Sequence, residues 1–138
     1  MEFALSEEQE AMFDMARGFG AEHIAPHALA WEKAGTIPRD LWPKVAELGL
    51  GGIHVREAHG GSGLTRLDAP LFFEALAMAC PAVRSFLSIH NMCGGTIDRV
   101  GSDAPRSRWL PPPSAMRPLF SSPPTAPASR PASPALRS

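Results

Sequence analysis

Apolar residues recur along this chain at the spacing of a helix, and nowhere with the sustained alternation of a strand. Ser6 with Gln9 three positions on is a capping-box signature: the hydroxyl takes the Gln9 amide while the glutamine reaches back to Ser6. Met12, Phe13, Ala16, Phe19 and Ile24 then form one apolar stripe, the face a helix turns towards a core. Pro26 removes a backbone donor, which predicts a break or kink near Ala25. A second helix is predicted to open at Pro38, with Leu41, Val45 and Leu48 inward, and to end at Gly49, where glycine enters a left-handed cap cheaply. The glycine-rich run 49–66 reads as a loop. A third helix is predicted from Leu67 or Asp68 through Leu71, Phe72, Ala75, Leu76 and Ala79, stopping before Pro81. Pro81 opens a fourth, with Val83, Phe86, Leu87, His90, Cys93, Ile97 and Val100 as its stripe. Within it Gly94-Gly95 either weakens the helix or admits a close neighbour. Ser102 is expected to cap a last short turn, Asp103 to Leu110. The fold class so predicted is all-α.

Residues 111–138 are a different kind of polymer. Nine of these 28 positions are Pro, six are Ser and five are Ala, so the segment lacks the apolar surface that would offset its ordering entropy. It is expected to be disordered or extended, which divides the chain into a helical unit, 1–110, and a tail, 111–138. All 14 acidic residues lie at or before Asp103, and the tail carries only Arg117, Arg130 and Arg137. The net charge of −1 gives no basis for nucleic acid or an anionic membrane surface as partner. Cys80 and Cys93 show neither a CxxC spacing nor a disulfide framework, which fits a reducing cytosol. No apolar run is long enough for a membrane span, and Met1 to Glu8 resembles neither a secretory signal nor an Arg-rich transit peptide. A soluble, cytoplasmic protein is the expectation.

Leu48-Gly49-Leu50, Gly60-Gly61-Ser62-Gly63-Leu64, Phe73-Glu74-Ala75-Leu76-Ala77 and Ser88-Ile89-His90-Asn91-Met92-Cys93 follow one another in an order that resembles one family. Across residues 3–112 the chain looks like an acyl-CoA dehydrogenase, closest to the branched short-chain branch, the isobutyryl-CoA dehydrogenases. That resemblance implies the N-terminal helical domain of a three-domain, homotetrameric flavoprotein acting on acyl-CoA. In such enzymes FAD sits between a middle β-domain and a C-terminal helical bundle. A thioester α-proton is weakly acidic, so a positioned carboxylate and donors to the thioester oxygen are both needed. Hydride acceptance needs the flavin, since no side chain accepts it.

Carried onto this chain, the resemblance points the helix Ala82–Met92 at the acyl pocket, with Ser85, Ser88 and Met92 as substrate-binding candidates. A small serine beside bulky neighbours would favour short or branched acyl groups. The resemblance assigns no catalytic residue and no metal here. Arg56 stands where relatives often have proline, and His59 where many have an aromatic residue. The tail departs further: where the family has a flavin loop like Thr-Glu-Pro-Gly-Ser-Gly-Ser-Asp, this chain reads Thr125-Ala126-Pro127-Ala128-Ser129-Arg130-Pro131-Ala132. Thr125 keeps a cofactor-binding register, but Arg130 and Pro131 deny the backbone approach that glycines give. The tail therefore reads as a degenerate remnant of the flavin domain, and the chain as a truncated, self-associating member that binds no FAD and is inactive alone.

Other residues invite sharper readings that their surroundings do not support. His23 and His27 stand at a metal-binding interval, but no third ligand accompanies them. Gly60 to Gly63 lacks the lysine of a phosphate loop and reads as a turn. Asp14, Glu22, Glu32 and Glu74 read as surface charges, Cys93 as a small buried group, and His90 as a histidine bonded inside the helical packing. Phe13, Phe19, Phe72 and Phe86 read as core. The competing functional class is a helical interaction module whose proline-rich arm docks on an aromatic groove.

Overall fold

The computed structural model describes residues 4–110, and their regular structure is entirely helical. α1 spans Glu7–Phe19 and starts with both halves of the capping box, Gln9 N donating to Ser6 Oγ and Ser6 N to Gln9 Oε1, each at 3.2 Å. It runs on without interruption into a π-helical segment, Gly20–Ile24, closed by Ala25 N donating to Gly20 O at 2.8 Å. The break expected near Ala25 therefore falls in place. The wider turn before it was not expected; it rotates Ile24 into the core, where it is fully covered.

α2, Ala28–Ala34, is a helix the periodicity did not reveal. Its residues are strong helix formers, and Gly35 at φ 65° terminates it, but it opens without a capping side chain and buries no residue fully. The next helix, α3, spans Leu41–Glu47 and opens three residues later than predicted. Pro38 to Asp40 form turns instead, with Leu41 N donating to Pro38 O and Trp42 N to Arg39 O. Gly49, at φ 73°, ends that region as expected.

α4 spans Ala69–Ala79 and α5 spans Pro81–Val100, separated by the extended Cys80. α6, Asp103–Trp109, follows; Ser102 occupies its cap position but makes no side-chain capping bond, contrary to expectation. α4 lies between α1 and α5. Ala16, Ile24, Leu41, Val45, Leu50, Phe72, Leu76, Val83 and Leu87 fill the shared core. Each large aliphatic side chain buried there contributes about 1.5–3 kcal/mol. Gln9 Nε2 reaches Asp68 Oδ1 at 3.1 Å, tying the start of α1 to the start of α4.

Candidate functional site

α5 has two faces with different tasks. Over its first half Val83 and Leu87 enter the apolar core. Over its second half the buried positions are His90, Asn91, Gly94 and Asp98, so the inward stripe turns polar. This corrects the predicted stripe: Cys93 and Ile97 are only half-buried and Val100 is 74% exposed. The physical reason is what α5 packs against there. The neighbour is the backbone of the 50–63 loop, which needs hydrogen-bond partners and room rather than methyl groups.

Asn91 supplies the partners. Its Oδ1 accepts from Ile53 N at 2.7 Å, and its Nδ2 donates to Leu50 O at 2.8 Å and Leu87 O at 3.0 Å. His90 Nε2 donates to Gly51 O at 3.0 Å, in line with the structural role read for it. Its Nδ1 is buried without a partner, and burial pushes the ring below the ordinary imidazole range, the Gly51 bond acting in the opposite sense. Gly94 and Gly95 supply the room: a Cβ on Gly95 would lie 3.0 Å from His54 Cβ. Of the two expectations for the pair, close packing is the one realised.

Arg56 and His59, the loop's two departures from the family pattern, converge on Asp98. Arg56 Nε donates to Asp98 Oδ2 at 2.9 Å and Nη2 to Oδ1 at 3.1 Å, a bidentate pair, and His59 Nδ1 donates to Oδ1. Arg106 Nε, from α6, donates to the Asp98 carbonyl at 3.0 Å. Hydrogen bonds from Arg56 hold the Asp98 carboxyl far below the usual carboxylate range, His59 adding to them and desolvation opposing. A depressed carboxyl contributes stability above its unfolded value of 3.8, and that contribution is lost as pH falls below it. Asp98→Asn should therefore be less stable at neutral pH and show a flatter acid limb, read from urea midpoints across pH. Equal acid slopes in both proteins would refute the clamp.

On the opposite face Ser85 is exposed, Ser88 half-buried, and Ile89 and Met92 are 49% and 61% exposed. The inner contacts orient this outward strip, and Ser85, Ser88 and Met92 lie together on it. It continues towards a shallow cleft beside α4, where the Arg84 guanidinium sits 5.7 Å from the centre of the Phe73 ring. Asn91, Asp98 and the convergence of Arg56 and His59 on Asp98 escaped the sequence reading. The signal was present as polar residues at helical spacing on the Val83–Leu87 face.

The 61–64 turn does not offer a phosphate its amides. The amides of the 61–64 turn, which would face a phosphate, are consumed internally. Gly61 N donates to Arg56 O, Ser62 N to Gly52 O, Gly63 N to Val55 O and Leu64 N to Ile53 O. A Cβ on Gly61 would lie 2.0 Å from Val55 O, so this glycine serves the loop's own closure. The Thr125 register lies outside the described residues. Among those described, no cluster of three metal-ligating side chains forms, and no helix is long and apolar enough to cross a membrane. His23 instead packs on Phe19, and His27 stacks on Trp31.

Residues 6–116 match the family model described as acyl-CoA dehydrogenase, N-terminal domain. Mitochondrial isobutyryl-CoA dehydrogenase of Dictyostelium discoideum is 49% identical over 107 residues, covering 78% of this chain and 26% of that protein. The Bos taurus protein of the same name is 45% identical over 108 residues, with the same coverage of 78% and 26%. Butyryl-CoA dehydrogenase from Megasphaera elsdenii superposes with a TM-score of 0.73 at 28% identity, over 84% of this chain and 31% of that one. The chain thus spans about a quarter of the length of the curated relatives it matches. By sequence and by the order and packing of its helices, it belongs to the acyl-CoA dehydrogenase family and carries that family's N-terminal domain.

Proposed function

We propose that the outward strip of α5 is one wall of an acyl pocket, with Ser85, Ser88 and Met92 lying against a short or branched acyl group. The observation that carries this is the division of α5. Its inner face is committed to the core and the loop, leaving a partly apolar strip of small and flexible side chains unpartnered. In this reading the parent reaction is FAD-dependent α,β-dehydrogenation of an acyl-CoA, and the relatives named for isobutyryl-CoA support a branched substrate. The flavin and the carboxylate that removes the α-proton are supplied by domains other than 1–110, with 111–138 a degenerate start of the flavin domain. The helical unit acts within a homotetramer, and alone it associates through the uncovered strip. Its thiols are unpaired, which supports a reducing compartment, here the cytoplasm; the named relatives are mitochondrial.

The 138-residue chain, purified and given isobutyryl-CoA, FAD and an artificial electron acceptor, should show no turnover. Dehydrogenation above the protein-free rate would overturn the division of labour proposed here.

A further inference from the structure

A second concave surface meets the start of α5 next to the acyl strip. It is a cleft of about 840 Å³ between α2, the Gly35–Arg39 turn and the start of α5, lined by Trp31, Ile37, Trp42, Pro81 and Phe86 among others. Trp42 and Phe86 pack with ring centres 4.2 Å apart, so part of the lining is aromatic and rigid. Leu29, on the lining, is 64% exposed. Among the described residues, Glu32 and Arg39 are the charged ones on its lining. At about 100° per residue, Phe86 points a quarter-turn or more away from Ser85, Ser88 and Met92, and Pro81 is the residue that this cleft shares with the one beside α4.

We propose that this cleft is the docking site of the chain's own proline-rich segment, anchored by Leu119 and Phe120. Three observations favour that occupant. The first is chemical: aromatic-lined grooves take proline-rich chain because its extended form is already ordered before binding. Pro111-Pro112-Pro113 and Pro118 frame Met116, Leu119 and Phe120, the large apolar residues of that stretch.

The second is reach. Arg106 bonds the Asp98 carbonyl, which sets the end of α6 beside the C-terminal half of α5. From Asp98 back to Phe86 is roughly twelve helical residues, about 18 Å along the axis. Pro111 to Phe120, at the rise of an extended proline-rich chain, can span about 28 Å. Phe120 therefore reaches the cleft from its own chain.

The third is the covalent link. A covalent tether raises the local concentration of the segment to about the millimolar range, which favours this copy over a second one. The proposal does not depend on the acyl-wall reading.

The test is an amide and indole NMR map of the ¹⁵N-labelled 138-residue chain. Replacing Leu119→Ser with Phe120→Ser should shift the indole resonances of Trp31 and Trp42 while leaving the amides of Ser88 and Met92 in place. Leu29→Asp, an exposed change on the cleft side, should move the Phe120 amide to its position in a free peptide of residues 111–138. Indole resonances that ignore the tail substitutions would overturn the proposal. So would shifts that fade on dilution, because those would assign the segment to a second copy.

Discussion

Asn91→Leu is expected to cost about 4 kcal/mol, since it strands the buried Ile53 N–H and Leu50 C=O at about 1–3 kcal/mol each and adds strain. Leucine has as many side-chain heavy atoms but a larger volume, so the loss reports unmet hydrogen bonds and overpacking rather than a cavity. A domain of this size holds about 5–15 kcal/mol in total, so the variant should be close to unfolding. The reading is the urea midpoint at unchanged slope. A cost below about 1 kcal/mol would mean that water or another group satisfies those atoms.

Gly61→Ala should be nearly as damaging, by about 3 kcal/mol. Its Cβ would meet Val55 O at 2.0 Å and Val55 C at 2.5 Å, and both are backbone atoms that cannot rotate away. Moving them breaks the Gly63 N to Val55 O bond of 2.9 Å and loosens the loop that Asn91 and Asp98 grip. Hydrogen exchange at Gly63 and Leu64 should accelerate together. Gly18→Ala is the internal control: nothing lies within 4 Å of its Cβ position, and the helix should gain about 0.5–1 kcal/mol. Equal behaviour of the two variants would contradict the close approach at Gly61.

The parts of the fold legible in the sequence were those set by local rules. The Ser6–Gln9 box, Gly49 after α3 and the proline opening of α5 are each decided within a few residues. α2 escaped because it has good propensity but no cap and no fully buried stripe. The second half of α5 was misread because an apolar stripe was extended past the point where its partner changes. Beyond residue 90 that partner is loop backbone, and Asn91 and Asp98 serve it from 38 to 42 residues away in sequence. The α5 side of such pairings shows as polar residues at helical spacing, but nothing in the periodicity names their loop partners. Arg56 and His59 stand out in the sequence only as departures from the family pattern, whereas Arg56 pairs with the Asp98 carboxylate on α5 and His59 hydrogen-bonds it.

The same long-range contacts bear on function. The family resemblance points to Ser85, Ser88 and Met92, and α5 carries them on one outward strip because its other face is held on the loop. If that strip is an acyl wall, it must shape which acyl-CoA reacts when the remaining domains are present. The direct measurement is kcat/KM for isobutyryl-CoA in the Bos taurus isobutyryl-CoA dehydrogenase carrying residues 4–110 of this chain in place of its own counterpart. Ser88→Phe should fill the pocket and lower kcat/KM at least about tenfold, the scale of one mis-sized group in an apolar pocket. Ser107→Phe, on exposed α6, should leave it unchanged. An undiminished kcat/KM in the Ser88→Phe chimera would contradict the acyl wall.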